Sequence, residues 1–129
     1  QTQFELYLLK AKGYENIYEA VISRESDGTF ANIGSVKIYV DTALEGQVKV
    51  SVRPENIILS MGTFISSARN VHKGIVTDII VSGSKVLVTV DIGISIKALI
   101  TEKSLREMRI EKGTELYAVF KTMSVTVYK

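Results

Sequence analysis

The feature that most restricts what this chain can fold into is a hydrophobic period of two. Val36 to Val40 reads Val-Lys-Ile-Tyr-Val, with Lys37 and Tyr39 on one face. Val48 to Val52 reads Val-Lys-Val-Ser-Val, and Val86 to Val90 reads Val-Leu-Val-Thr-Val. Asn16 to Ser23 and Val125 to Tyr128 alternate in the same way. Successive side chains of a strand point to opposite faces, so alternating β-branched residues fit a pleated surface buried on one side. Turn signals separate the runs at Asp27-Gly28, Ile33-Gly34, Glu45-Gly46, Ser82-Gly83 and Ile92-Gly93. Connections this short leave no room for the crossovers that parallel strands require. The pattern predicts an all-β fold, a small barrel or sandwich.

Two stretches break the period. Phe4 to Lys12 places Phe4, Leu8 and Ala11 on one helical stripe. Glu102 to Met108 follows Thr101, a helix-capping residue type, carries Glu102 in its first turn, and is followed by Gly113. Pro54, the only proline, marks a strand end or edge, since proline cannot donate within a ladder.

The two halves of the chain resemble each other. Gly13-Tyr14-Glu15-Asn16 opens the first run of strands and Ala68-Arg69-Asn70 opens the second. Each run continues with a long strand, a Gly turn, two further strands, a connection ending in Gly46 or Gly113, and a final strand. A basic residue interrupts that last element in both, at Val52-Arg53-Pro54 and Phe120-Lys121-Thr122. We read residues 1–12 as an N-terminal helix or linker, 13–65 as a first five-strand unit and 66–129 as a second copy. The second copy is elaborated by a helix between Thr101 and Gly113.

Composition narrows the function. The 129 residues include no cysteine and one histidine, His72, which excludes disulfides, thiol nucleophiles and His clusters for a metal. A chain of this length still buries enough surface to fold without such staples. There is no phosphate loop, dinucleotide fingerprint or nucleophile elbow, and no pair of carboxylates stands out, so the sequence predicts a non-catalytic chain. No apolar run reaches the ~18 residues of a membrane span, and no signal peptide opens the chain. It begins at Gln1 and reads as part of a longer protein. Residues 1–65 carry 6 Lys/Arg against 8 Asp/Glu, and residues 66–129 carry 10 against 6, so an anionic partner is expected on the second half. The aromatic residues do not cluster with Lys and Arg, which argues against a nucleic-acid groove.

Three polar elements of that basic half suit a small anion: Ser66-Ser67-Ala68-Arg69-Asn70, Thr101-Glu102-Lys103-Ser104 and Lys121-Thr122. The middle one is a strand-to-helix junction, where unpaired N–H groups and two hydroxyls one turn apart converge. Arg69 and Lys121 supply full positive charge, and charge-assisted hydrogen bonds are the strong ones. Each piece also has an ordinary reading: Thr101 as a helix cap, Arg69 as a surface cation, Lys121 as a solvated edge lysine, His72 as a packed or exposed side chain.

At these same residues the sequence resembles a known family. Ser67-Ala68-Arg69-Asn70, Gly74 with Ile75-Val76-Thr77-Asp78-Ile79, Ile100-Thr101-Glu102-Lys103-Ser104-Leu105, Lys112-Gly113 and Ala118-Val119-Phe120-Lys121-Thr122 are similar, in order and spacing, to the molybdate-binding Mop/TOBE signature. Gly13-Tyr14-Glu15-Asn16-Ile17 and Val52-Arg53-Pro54-Glu55-Asn56-Ile57 resemble the segments that precede it in the ATP-binding subunits of molybdate/tungstate ABC importers. The resemblance implies two OB-like barrels and a cytoplasmic regulatory domain that dimerises or forms a higher oligomer. It implies no cofactor and a ligand, molybdate or tungstate, bound between protomers. By position, Ser67, Ala68, Arg69, Lys121 and Thr122 would come from one protomer, and Thr101 and Ser104 from the other. In the full-length protein its partners would be a nucleotide-binding domain and a membrane permease subunit. The first copy departs from the motif, with Tyr14-Glu15-Asn16 and Arg53-Pro54 at the matching places, which weighs against a second site there. Two other readings stand beside this one: a free-standing cytoplasmic molybdate storage protein, and a ligand-free dimerisation module of another importer.

Overall fold

The computed structural model describes residues 15–129; the helix expected at Phe4 to Lys12 lies outside them. Ten strands run in chain order: β1 (Asn16–Glu25), β2 (Gly28–Ile33), β3 (Val36–Tyr39), β4 (Gln47–Val52), β5 (Ile58–Ser60), β6 (Asn70–Ser82), β7 (Lys85–Asp91), β8 (Ser95–Thr101), β9 (Glu115–Phe120) and β10 (Val125–Tyr128). One α-helix, α1 (Glu102–Glu107), follows β8, and short 3-10 turns at Pro54–Asn56 and Thr122–Ser124 follow β4 and β9. The alternation seen in the sequence is the burial pattern: Val48, Val50 and Val52 are buried while Lys49 is exposed, and Val36 and Ile38 are buried beside exposed Lys37.

All pairing is antiparallel, in two curled five-stranded sheets ordered β10-β4-β1-β2-β3 and β5-β9-β6-β7-β8. The hairpins β2–β3 and β6–β7 each close over two residues, Gly34-Ser35 and Gly83-Ser84. Glycine stands first in both at φ of +60° and +62°, a conformation the tight hairpin turn needs and a side chain disfavours. The two sheets share a single core, in which Ile38, Val50, Val88, Ile96, Leu116 and Phe120 are essentially sealed from solvent.

The sheets exchange their last strands. β5, which follows β4 in the chain, pairs with β9 of the second sheet, and β10, which follows β9, pairs with β4 of the first. An approximate two-fold relation results, and it extends to single side chains. Asn16, buried at the start of β1, donates to the Lys97 carbonyl of β8 and accepts from the Lys97 N–H, both at 2.8 Å. Asn70, buried at the start of β6, donates to the Tyr39 carbonyl of β3 at 3.1 Å and accepts from the Tyr39 N–H at 2.8 Å. Each asparagine thus replaces one rung of a ladder between the two sheets, using both its donor and its acceptor on buried backbone that would otherwise be unpaired.

Helix α1 begins where the sequence predicts. Thr101, in extended conformation, accepts a bond from the Ser104 N–H. It also ends where the sequence places its end, with Met108 as the C-cap, and Arg109 just beyond takes up the left-handed conformation at φ of 53°. The Ile110 N–H bonds the Leu105 carbonyl and the Arg109 N–H bonds the Arg106 carbonyl, the Schellman pattern, with an arginine where glycine is usual. Burial of Ile110, with Leu105 packed against the core, holds the arginine in that unfavoured conformation.

Candidate functional site

The β6–β9 ladder ends on the pair Asn70 and Phe120. Arg69 and Lys121 are the first residues beyond it, so one strand end brings both cations out together. Ser67 and Ala68 precede Arg69 in a bend where the Ala68 N–H bonds the Ser66 hydroxyl at 3.1 Å. Lys121 stands in extended conformation and its carbonyl accepts from the Ser124 N–H at 3.0 Å, which starts the 3-10 turn at Thr122. Ser67, Arg69 and Lys121 are exposed, and Ala68 and Thr122 are half-buried.

Neither cation has an acidic partner among the described residues. Among the described residues the ion pairs join Arg24 to Glu45, Lys37 to Glu25, Arg53 to Glu55, Lys103 to Glu107, Arg106 to Glu102 and Lys112 to Asp78. Arg69 and Lys121 are in none of them. Arg69 lies instead against an aromatic face, its guanidinium carbon 5.1 Å from the centre of the Tyr39 ring. An anion at this strand end would meet two cations that have no acidic partner among the described residues.

The remaining residues singled out from the sequence, Thr101 and Ser104, sit together at the β8–α1 junction. Thr101 Oγ1 accepts from the Ser104 N–H and donates to Ser104 Oγ, both at 3.1 Å. Thr101 is therefore the helix cap. Because Ser104 Oγ accepts from Thr101, its own hydroxyl hydrogen is left to donate outward. The positive side chains of α1 are matched, Arg106 to Glu102 at 3.3 Å and Lys103 to Glu107 at 3.7 Å.

The two groups lie at opposite ends of β6. Thr101 pairs with Lys85, which pairs with Ser82 at the far end, whereas Arg69 adjoins Asn70 at the near end. Thirteen residues of strand amount to roughly 40 Å of chain. Ser67, Ala68, Arg69, Lys121 and Thr122 come together within one molecule; Thr101 and Ser104 do not join them there.

His72 faces inward next to this cluster, its ring stacked on Phe120 at 5.9 Å and 23°, and its buried Nε2 has no hydrogen-bond partner. Desolvation holds its pKa below the ordinary histidine value. The matching position in the first sheet is Tyr18, whose hydroxyl reaches the Ser95 carbonyl at 2.6 Å and whose ionisation burial pushes up. The sequence includes Asn70 in the Ser66–Asn70 element but points neither to Tyr39 nor to the bonds that Asn70 makes with it. Tyr39 is 30 residues from Arg69, and a contact between halves has no local signature; only the repeated Asn16 and Asn70 at the two unit starts offer one.

The strand end at Arg69 and Lys121 falls within residues 66–127, which match the TOBE domain family. Over 117 residues, 90% of this chain, the sequence is 41% identical to the molybdate/tungstate import ATP-binding protein WtpC of Pyrococcus abyssi. It is 38% identical over the same length to that of Pyrococcus horikoshii. The chain spans about a third of the length of these relatives. The cytoplasmic molybdate-binding protein ModG, in a crystal form with molybdate bound, matches with a TM-score of 0.77 over 88% of this chain and 94% of its own, at 20% identity, a likeness of fold. Among the described residues no helix is long and apolar enough to cross a membrane. Residues 66–127 thus match the TOBE domain family, within a chain that is similar over 90% of its length to part of two molybdate/tungstate import ATP-binding proteins.

Proposed function

We propose that this chain is the oxyanion-sensing part of a molybdate/tungstate importer's ATP-binding subunit, and that it holds molybdate or tungstate between two copies of itself. The observation that carries the reading is a pair of cations, Arg69 and Lys121, without acidic partners among the described residues, at one strand end with Ser67 and Thr122 beside them. A dianion needs full charges and several donors, and that strand end offers both. Thr101 and Ser104, at the other end of β6, complete the donor set when a second copy presents them. Identity near 40% to importer subunits favours this reading over storage. In the full-length protein a nucleotide-binding domain and a membrane permease would be the partners that read the bound state. The anion shifts transport only by its difference in affinity for two dimer arrangements.

The first half offers no equivalent. Arg53, at the place of Lys121, pairs with Glu55 at 4.0 Å, Pro54 has no N–H to donate, and Glu15 occupies the place of Arg69. One anion per chain is the expected stoichiometry. Titration calorimetry with tungstate, molybdate and sulfate, alongside thermal melts, tests this. A ligand at a hundred times its Kd adds about 2.7 kcal/mol to the folded state, so tungstate or molybdate should raise the melting temperature and sulfate should not. No heat and no thermal shift with either metal oxyanion, from protein that is dimeric by light scattering, overturns the proposal.

A further inference from the structure

We propose that Tyr39, in the first half of the chain, is a positioning residue for the anion site of the second half, holding the Arg69 guanidinium on its ring face. The inference rests on the oxyanion reading above and adds to it a residue outside the segment that matches the TOBE domain family.

Arginine is long and flexible, and among the described residues Arg69 has no acidic partner to restrain it. What it does have is the Tyr39 ring, 5.1 Å from its guanidinium carbon. Tyr39 is itself held at its backbone and on two sides of its ring. Asn70, next to Arg69 in the chain, grips the Tyr39 N–H at 2.8 Å and its carbonyl at 3.1 Å. Phe30 packs on it at 4.5 Å between ring centres, tilted by 43°. Gly28 lies below the ring edge, where even a single added carbon would come within 3.1 Å of it. A cation resting on a surface held in this way is confined with it.

The choice of an aromatic partner suits an anion site. A carboxylate would also restrain the arginine, but it would cancel the charge and occupy the donors that the ligand needs. A ring face attracts the cation through its quadrupole and takes up none of those donors. The five guanidinium N–H donors are thus not spent on a carboxylate partner and remain for the oxygens of an anion. The matching clamp supports this contrast. There Asn16 grips Lys97 as Asn70 grips Tyr39, and Glu15 stands where Arg69 does, so the first half keeps the fastening and lacks the cation and the ring.

The test is a double-mutant cycle on tungstate affinity by titration calorimetry of the whole chain, with wild type, Tyr39→Leu, Arg69→Ala and the double variant. Tyr39→Leu should weaken tungstate binding by about two- to five-fold, the range for an exposed cation–π contact. Tyr39→Phe should bind as wild type does, since the ring face remains. In the Arg69→Ala background Tyr39→Leu should have no further effect, because Tyr39 acts through Arg69. Equal weakening in both backgrounds would mean a general structural role and overturn the proposal, as would wild-type affinity in Tyr39→Leu. Melting curves show whether each variant folds, and Tyr39→Met replaces the Leu variant in the cycle should that one not fold. Wild-type protein that gives no heat with tungstate or molybdate overturns the oxyanion reading itself, and this inference with it; the other outcomes leave that reading standing.

Discussion

Replacing Asn70 by alanine removes both ends of one fastening between the sheets. The Tyr39 N–H and carbonyl lose their partners, at 2.8 and 3.1 Å, in a place where the asparagine itself is only 1% exposed. A buried backbone group left unpaired costs about 1–3 kcal/mol. Two such groups, partly relieved by water entering beside half-buried Tyr39, bring the loss to about 2–4 kcal/mol. For a chain of this length that lowers the melting temperature by about 7–15 °C. Asn16→Ala should cost a similar amount, because Asn16 makes the same two bonds to Lys97. Function separates the two. Asn70 holds the ring on which Arg69 rests, so Asn70→Ala should weaken tungstate binding, while Asn16→Ala, beside Glu15, should not. Urea denaturation gives the stabilities and calorimetry the affinities. Should both variants stay within about 0.5 kcal/mol of wild type, the asparagines are not the fastenings described, and the reasoning from paired backbone fails.

Three further outcomes follow from single positions. His72→Phe should stabilise the protein by about 1 kcal/mol at neutral pH, since it removes an unpartnered buried nitrogen and keeps the stack on Phe120. Its folded pKa lies below the unfolded value, so the wild type has full stability above that value and loses it as pH falls toward the folded pKa. The gap between wild type and His72→Phe in urea midpoint should therefore widen from pH 7.5 to pH 5, and a constant gap would count against the assignment. Arg109→Gly should gain up to about 1 kcal/mol, seen as a melt about 3–4 °C higher, by relieving the left-handed arginine that ends α1. Gly74→Ala should cost about 1–3 kcal/mol in urea denaturation. Its Cβ would meet the Asp91 carbonyl at 2.6 Å and Val90 and Ile92 at 2.7 and 2.8 Å, contacts that only a shift of β7 can clear.

Much of the fold is legible in the sequence because strand burial has a short period. Val48-Lys49-Val50 and Val36-Lys37-Ile38 declare their inner faces within three residues, and Thr101 with Ser104 declares the start of α1. The repeated asparagines, Asn16 and Asn70, stand at the starts of the matching strands β1 and β6. What stays hidden depends on distance along the chain. Nothing in Ile58-Leu59-Ser60 says that it will pair with β9 instead of β4, since an alternating strand fits either sheet. The stop of α1 near Met108 is legible, but its form is not: Arg109 adopts the left-handed turn because Leu105 and Ile110 are anchored in the core, and tertiary packing outweighs local preference there. The candidate site is half legible. Its charged residues stand out as a basic cluster in the second half, but the ring against which Arg69 lies belongs to Tyr39 in the first, and the separation of Thr101 from Arg69 along β6 emerges only with the register.

Strand exchange leads to a last prediction about where this protein can be cut. Residues 66–127 match a domain family, yet they lack β5, the strand that completes their sheet, and end in β10, which completes the other. A fragment of residues 66–129 folded alone would leave the edge of β9 unpaired. It would also lose Leu59, buried to 7% exposure, worth about 1.5–3 kcal/mol on the scale for a buried leucine, and the Tyr39 backbone that Asn70 needs. The fragment carries its own remedy. β10 follows β9 through a 3-10 turn just as β5 follows β4, so β10 of one fragment can take the place of β5 against β9 of another, and the exchange is mutual. The expectation is a strand-exchanged dimer of the 66–129 fragment, of twice the chain mass by light scattering, that melts at a temperature rising with concentration. Adding the 13–65 fragment should dissolve that dimer into a one-to-one complex, because the original partner restores both asparagine clamps. A monomeric, cooperatively folded 66–129 fragment would show that β5 is dispensable to its sheet, and the account of the two halves as mutually completed would have to be given up.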